Sequence, residues 1–167
     1  MILATNVYYN DENHTALAAG VTFFAWGVQK PTSEHVTLFS DVAPYEPGAF
    51  YKRELPCILA VIRGIGVLPD VVVIDGYVDL APDHPGLGRH LYEALDQRVA
   101  VIGVAKTRFV GATAVEVTRG GSVAPLFVTA SGVDVDVAAG HVRGMHGSYR
   151  IPTLLHYVDA LSRGRRP

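Results

Sequence analysis

The chain has 167 residues, about half of them hydrophobic, a net charge of −2 and one cysteine. This fits a single domain over residues 1–167 with a proper apolar core, and its weak acidity counts against a strongly basic, general nucleic-acid binder, which draws its affinity from phosphate neutralisation. Cys57 alone makes no intrachain disulfide and suits a reducing cytoplasm, no secretory leader is visible at the start, and apolar runs such as Val21–Trp26 and Val99–Val104 fall far short of the roughly 18 residues that span a bilayer.

Period-two patterning predicts strands at Ile2–Tyr9, Ala16–Trp26 and Val36–Ser40, with Asp11-Glu12-Asn13 turning the first into the second. Pro44-Tyr45-Glu46-Pro47-Gly48 breaks the pattern. Apolar residues at helical spacing (Phe50, Leu55, Ile58, Leu59, Ile62) then predict a helix over Ala49–Ile65, ending at Gly64 and Gly66. The all-apolar run Val71–Ile74 reads as a strand buried on both faces. Gly86–Leu95 follows as a helix and Val99–Val104 as a second buried strand. A hairpin around Arg119-Gly120-Gly121 returns through Leu126-Phe127-Val128, and helices over Val135–Met145 and Thr153–Leu161 close the chain. An antiparallel meander followed by βαβ units predicts an α/β fold with a mixed central sheet flanked by helices.

The chemistry-bearing residues are few. Asp75-Gly76 ends the Val71–Ile74 strand, where ligand sites of α/β sheets gather. A metal or phosphate site and an Asp that merely caps a loop fit this position equally. Glu54 lies on the preceding helix, where a solvated face is the usual role. Lys106 ends the second buried strand, and a Lys near an acid there can steady a phosphate, although most lysines are surface residues. His156 and Asp159 share the last helix one turn apart. The histidines show no metal-ligand spacing, and no phosphate loop or nucleophile elbow is present.

Taken together these segments resemble the endonuclease V family over most of the chain. Pro44-Tyr45-Glu46-Pro47-Gly48 with Arg53-Glu54 is similar to the family's PYxPG…RE segment, and Pro69–Gly76 to its PD(apolar)₄DG strand. His84-Pro85, Gly86–Leu91, Ile102–Lys106, Leu126–Val128 and Arg150–Asp159 are similar to its later elements in the same order. The resemblance implies an RNase H-like fold and Mg²⁺- or Mn²⁺-dependent hydrolysis of a phosphodiester near a deaminated purine, chiefly inosine, in DNA or RNA, an activity of the DNA-repair type. It implies that Glu54 and Asp75 hold the metal, that Lys106 offsets phosphate charge and that Asp159 assists at the metal or orients water. Tyr45 would fill the gap left by an extruded base, and Pro47, Gly76, Tyr77 and His84 would face the substrate.

Four departures stand beside this pattern, one of them Gly132-Val133 where the family has GH. The first-strand acid of the family aligns with Asn6, which brings an amide oxygen and no charge to the metal set Asn6, Glu54 and Asp75. Tyr77–Asp83 replaces a loop with a second Gly and two Arg residues. The helical segment that precedes the first strand in the family has no counterpart. Three readings therefore stay open: a nuclease of the endonuclease V type with a weakened or altered substrate, a degenerate homologue that binds nucleic acid or a small ligand, and an enzyme acting on a small nucleotide-like molecule.

Overall fold

Three N-terminal runs of alternating residues form an antiparallel meander, β1 (Ile2–Asn10), β2 (Thr15–Phe23) and β3 (Ser33–Phe39), in a computed structural model that describes residues 1–167. The turn over 11–14 closes with His14 at φ 51°. On its other edge β1 pairs in parallel with β4 (Val71–Asp75), and β4 in parallel with β7 (Ala100–Ala105). β9 (Leu126–Ser131) runs antiparallel to β7 and carries β8 (Val115–Val117) at the far edge. The seven-stranded order is β3-β2-β1-β4-β7-β9-β8, a mixed sheet as expected.

The central strands are apolar on both sides because helices cover both sides. Leu3, Val72, Ile74 and Val101 pack on one face with α1 (Phe50–Ile65) and α2 (Leu87–Ala94). Ala4, Val73, Ile102 and Val104 pack on the other with α3 (Val135–Gly144) and α4 (Thr153–Ser162). Each fully buried Val, Leu or Ile contributes about 1.5–3 kcal/mol, so the strands that carry the site are the best-anchored part of the sheet. No helix is long and apolar enough to cross a membrane.

Glycine matters at the end of β4. A Cβ on Gly103 of β7 would lie 2.5 Å from the Gly76 carbonyl oxygen and 2.6 Å from Thr129 Oγ1. Only a bare Cα lets the segment after Asp75 fold back over β7 so closely. Thr129 Oγ1 then accepts the Val78 N–H at 2.9 Å and fixes that return.

Two features differ from the sequence expectation. β2 stops at Phe23, short of Trp26: Phe24 is exposed, while the Trp26 ring stacks on His141 of α3 at 4.6 Å. The Tyr77–Asp83 loop contains part of a small second sheet, β5 (Asp79–Ala81) with β6 (His84–Pro85). Arg89 of α2 holds this hairpin through two bonds to the Asp79 carboxylate, at 3.0 and 2.6 Å.

Candidate active site

Strand alternation puts Asn6 of β1 on the same face as Ala4, toward α4. The Asn6 amide nitrogen donates to Asp159 Oδ1 at 3.0 Å and to Ser162 Oγ at 3.1 Å. Arg163, one turn on, donates from Nε to Asp159 Oδ2 at 3.1 Å, so that carboxylate is held from two sides. Asp75 is the last residue of β4 and Lys106 the first after β7, and because the two strands run parallel their ends lie side by side. Lys106 Nζ donates to Asp75 Oδ2 at 2.8 Å. Asn6, Asp75, Lys106 and Asp159 line one cavity of about 140 Å³, together with His156.

Glu54 does not line that cavity. It sits in the early turns of α1 and is 4% exposed, contrary to the solvated face expected of a helical Glu. Burial, and then the charge of Asp75, push its carboxyl up to about 8, while Arg53 pulls the other way. Arg53 forms no ion pair with it. That buried guanidinium turns instead to Asp11 Oδ1 at 2.6 Å and covers the Tyr9 ring at 3.8 Å. Burial, then Glu54, raise the Tyr9 hydroxyl and push the Cys57 thiol up to about 11. Cys57 is therefore a protonated, inert core residue. Glu54 is thus a buried carboxyl off the cavity wall that feels the charge of Asp75.

Nowhere in the chain do three His, Cys, Asp or Glu side chains gather in a metal-holding cluster. Asn6 brings an amide and not a carboxylate to the cavity wall. Its amide nitrogen is taken by Asp159 and Ser162, which leaves the carbonyl oxygen as its donor to a cation.

A second cavity, of about 490 Å³, opens on the other side of Asp75. Phe50, Tyr51, Tyr77, Leu80, Leu87 and Phe109 line it. The Tyr77 hydroxyl donates to the Thr107 carbonyl at 2.7 Å and accepts from the Phe109 N–H at 3.0 Å. Of the remaining residues nominated from the sequence, Gly76 lines this cavity, at φ 137°. Tyr45 is exposed, its ring 6.4 Å from that of Phe50. Pro47 and His84 are exposed and line neither cavity.

His156, which the sequence places one turn from Asp159 on the last helix, reaches the first cavity together with it. One contributor escaped the sequence reading. Arg150 donates from Nη2 to the carbonyls of Lys106, at 2.5 Å, and Pro125, at 2.8 Å, and so fixes the backbone that presents the lysine. Nothing in sequence spacing points to that role.

The family model described as Endonuclease V matches residues 1–146. The chain belongs to the endonuclease V family. An endonuclease V from Streptomyces avermitilis is 30% identical to it across 97% of this chain and 79% of that protein. The crystal structure of a Streptomyces avermitilis endonuclease V superposes with a TM-score of 0.75 at 27% identity, covering 98% of this chain and 79% of that one. An endonuclease V from Ciona intestinalis, solved in complex with a 24mer DNA containing an inosine followed by a ribo-adenosine, shares the fold at a TM-score of 0.77 and 19% identity, covering 98% of this chain and 84% of that one. The RNase H-like α/β fold expected of an endonuclease V is thus the fold observed. The binding-module and small-molecule readings that the sequence left open are favoured by none of these comparisons.

Proposed function

We propose that this endonuclease V family member hydrolyses a phosphodiester in DNA or RNA near a deaminated purine, chiefly inosine, with Mg²⁺ or Mn²⁺ held by Glu54, Asp75 and the Asn6 amide oxygen. The observation that carries this reading is the meeting of Asp75, Lys106, Asn6 and Asp159 on one cavity, with Glu54 in the field of Asp75. The donors suit a hard divalent cation. Two carboxylates that repel each other gain from a cation between them, and an amide oxygen is an acceptable third ligand. Such an ion, when bound, offsets charge on the phosphate and lowers the pKa of an attacking water.

The chain's own residues supply the rest. Lys106, half-exposed beside Asp75, places a positive charge where a phosphate oxygen gains charge in the transition state. Asp159, held by Asn6 and Arg163, offers a fixed acceptor to a water in the cavity. His156, on the wall beside it, offers an imidazole nitrogen to hydrogen-bond a water or the substrate. Tyr45 is the wedge, and the 490 Å³ cavity beyond Asp75 receives the extruded base. Extrusion costs a few kcal/mol, which a fitting pocket returns. The Tyr77 hydroxyl, already bonded to Thr107 and Phe109, is not free to read a purine edge. Discrimination of inosine from adenosine is therefore poor. We place the activity in the cytoplasm, a reading supported by the lone reduced Cys57.

The test compares matched strands with and without one inosine, in Mg²⁺, in Mn²⁺ and in EDTA. Slow, metal-dependent cleavage with weak inosine preference is expected, and Asp75→Ala should remove it. Cleavage that survives EDTA or Asp75→Ala would refute the proposed centre, and rapid inosine-selective cleavage would refute the role given to Tyr77.

A further inference from the structure

We infer that a single-stranded stretch of nucleic acid leaves the cleavage centre along a groove between the tip of the β8–β9 hairpin and the start of α4, with one base stacked on Tyr149. The direction of the path rests on the nuclease reading above. The groove itself rests on geometry.

The groove, about 680 Å³, is lined by Ser122, Tyr149, Arg150, Thr153, His156 and Tyr157 among others. It shares Ile151 and His156 with the cavity that holds Asp75 and Lys106, so each continues into the other. No Asp or Glu side chain lines it, in a chain whose net charge is −2, and the one carboxylate on its wall is the terminal one of Pro167. Tyr157, on its wall, donates its hydroxyl to the exposed Glu34. Arg166 acts on the same tyrosine from the C-terminal segment. A phosphate chain running out of the cleavage centre thus meets arginine, histidine and hydroxyl groups.

The walls are also rigid. Arg119 is buried in the hairpin loop, and its guanidinium donates to five carbonyls at the end of α3 and in the segment after it: Arg143 at 3.4 Å, Met145 at 2.5 Å, Gly147 at 3.1 Å, Tyr149 at 2.9 Å and Arg150 at 3.3 Å. Gly120 backs onto the same segment so closely that a Cβ there would lie 2.5 Å from the Ser148 oxygen. The Tyr149 backbone is therefore clamped while its side chain leaves the residue 79% exposed. An aromatic ring presented to solvent from a fixed backbone loses little freedom when a base stacks on it. Clefts that take single strands without sequence preference combine this kind of platform with a cationic track.

The experiment measures binding in EDTA by fluorescence anisotropy, using labelled single-stranded oligodeoxynucleotides with a central inosine. One strand carries flanks on both sides, and two others are cut back on one side or the other. The proteins are the wild type, Tyr149→Ala and Tyr149→Phe, the exposed ring making both variants safe for folding. Loss of one stacked base should weaken the Tyr149→Ala complex with the full strand by roughly 5- to 150-fold, while Tyr149→Phe should bind like the wild type. Removing the flank that occupies the groove should weaken wild-type binding by the same factor and abolish the difference between wild type and Tyr149→Ala. Equal affinity of wild type and Tyr149→Ala for the full strand would overturn the proposal, as would no binding at all or an equal loss on every strand. Parallel cleavage in Mn²⁺ separates the two claims. Tyr149-dependent binding without cleavage keeps the groove and removes the nuclease reading, and cleavage with Tyr149-independent binding does the reverse.

Discussion

Glu54 is the residue whose state most depends on solution conditions. Its carboxyl is pushed up to about 8 from an ordinary 4.5 by burial and then by Asp75. Between those values the folded protein holds a proton that the unfolded chain has released, so stability falls as pH rises through that window. In metal-free buffer the melting temperature should therefore decline from about pH 5 to pH 8. Glu54→Gln should flatten that slope, and saturating Mn²⁺ should reverse it, because a cation favours the ionised carboxylate. A slope unchanged by Glu54→Gln would mean that another group carries the pH dependence. Asn6 makes the complementary case. Its amide nitrogen neutralises part of Asp159 at 3.0 Å, and Asn6→Asp would set two carboxylates against each other. That variant should be less stable than the wild type without metal and should bind Mn²⁺ more tightly in calorimetry. Equal or weaker Mn²⁺ binding would place position 6 away from the ion.

At the level of elements, the periodic segments were legible and the irregular ones were not. β1, β4, β7, α1 and α4 were predicted close to their observed bounds because buried strands and amphipathic helices write their period into the chain. The β5–β6 hairpin was missed, since strands of three and two residues carry no period, and what holds them is a long-range fork from Arg89 to Asp79. The candidate site divides in the same way. Asp75 and Lys106 were visible as polar residues at the ends of apolar strands. The burial of Glu54 was not, because a helix sequence does not say how deeply its first turns are sunk. Arg119 was invisible for a similar reason: its five acceptors are backbone carbonyls at the end of α3 and just after it, the first 24 residues away. Arg119→Met would strip those carbonyls of their donor in a buried setting and should cost about 2–5 kcal/mol in urea denaturation. A cost below about 1 kcal/mol would show that water replaces the guanidinium there without penalty.

For the molecule as a whole, the sheet order brings into register residues from distant parts of the sequence. Asn6 lies 153 positions from Asp159 and Asp75 lies 31 from Lys106, yet both pairs are hydrogen-bonded around one cavity. The same architecture gives the 490 Å³ cavity a wall at Asp75 and joins the Tyr149 groove to the Asp75 cavity through Ile151 and His156. Catalysis at this centre depends on what the acids hold. Anomalous diffraction from crystals soaked in millimolar Mn²⁺ tests that most directly. A single manganese peak contacted by Glu54 and Asp75 is expected, with the Asn6 amide oxygen turned toward it, and it should disappear in Asp75→Ala crystals. No peak between Glu54 and Asp75 under those conditions, or a peak that persists in Asp75→Ala, would contradict it.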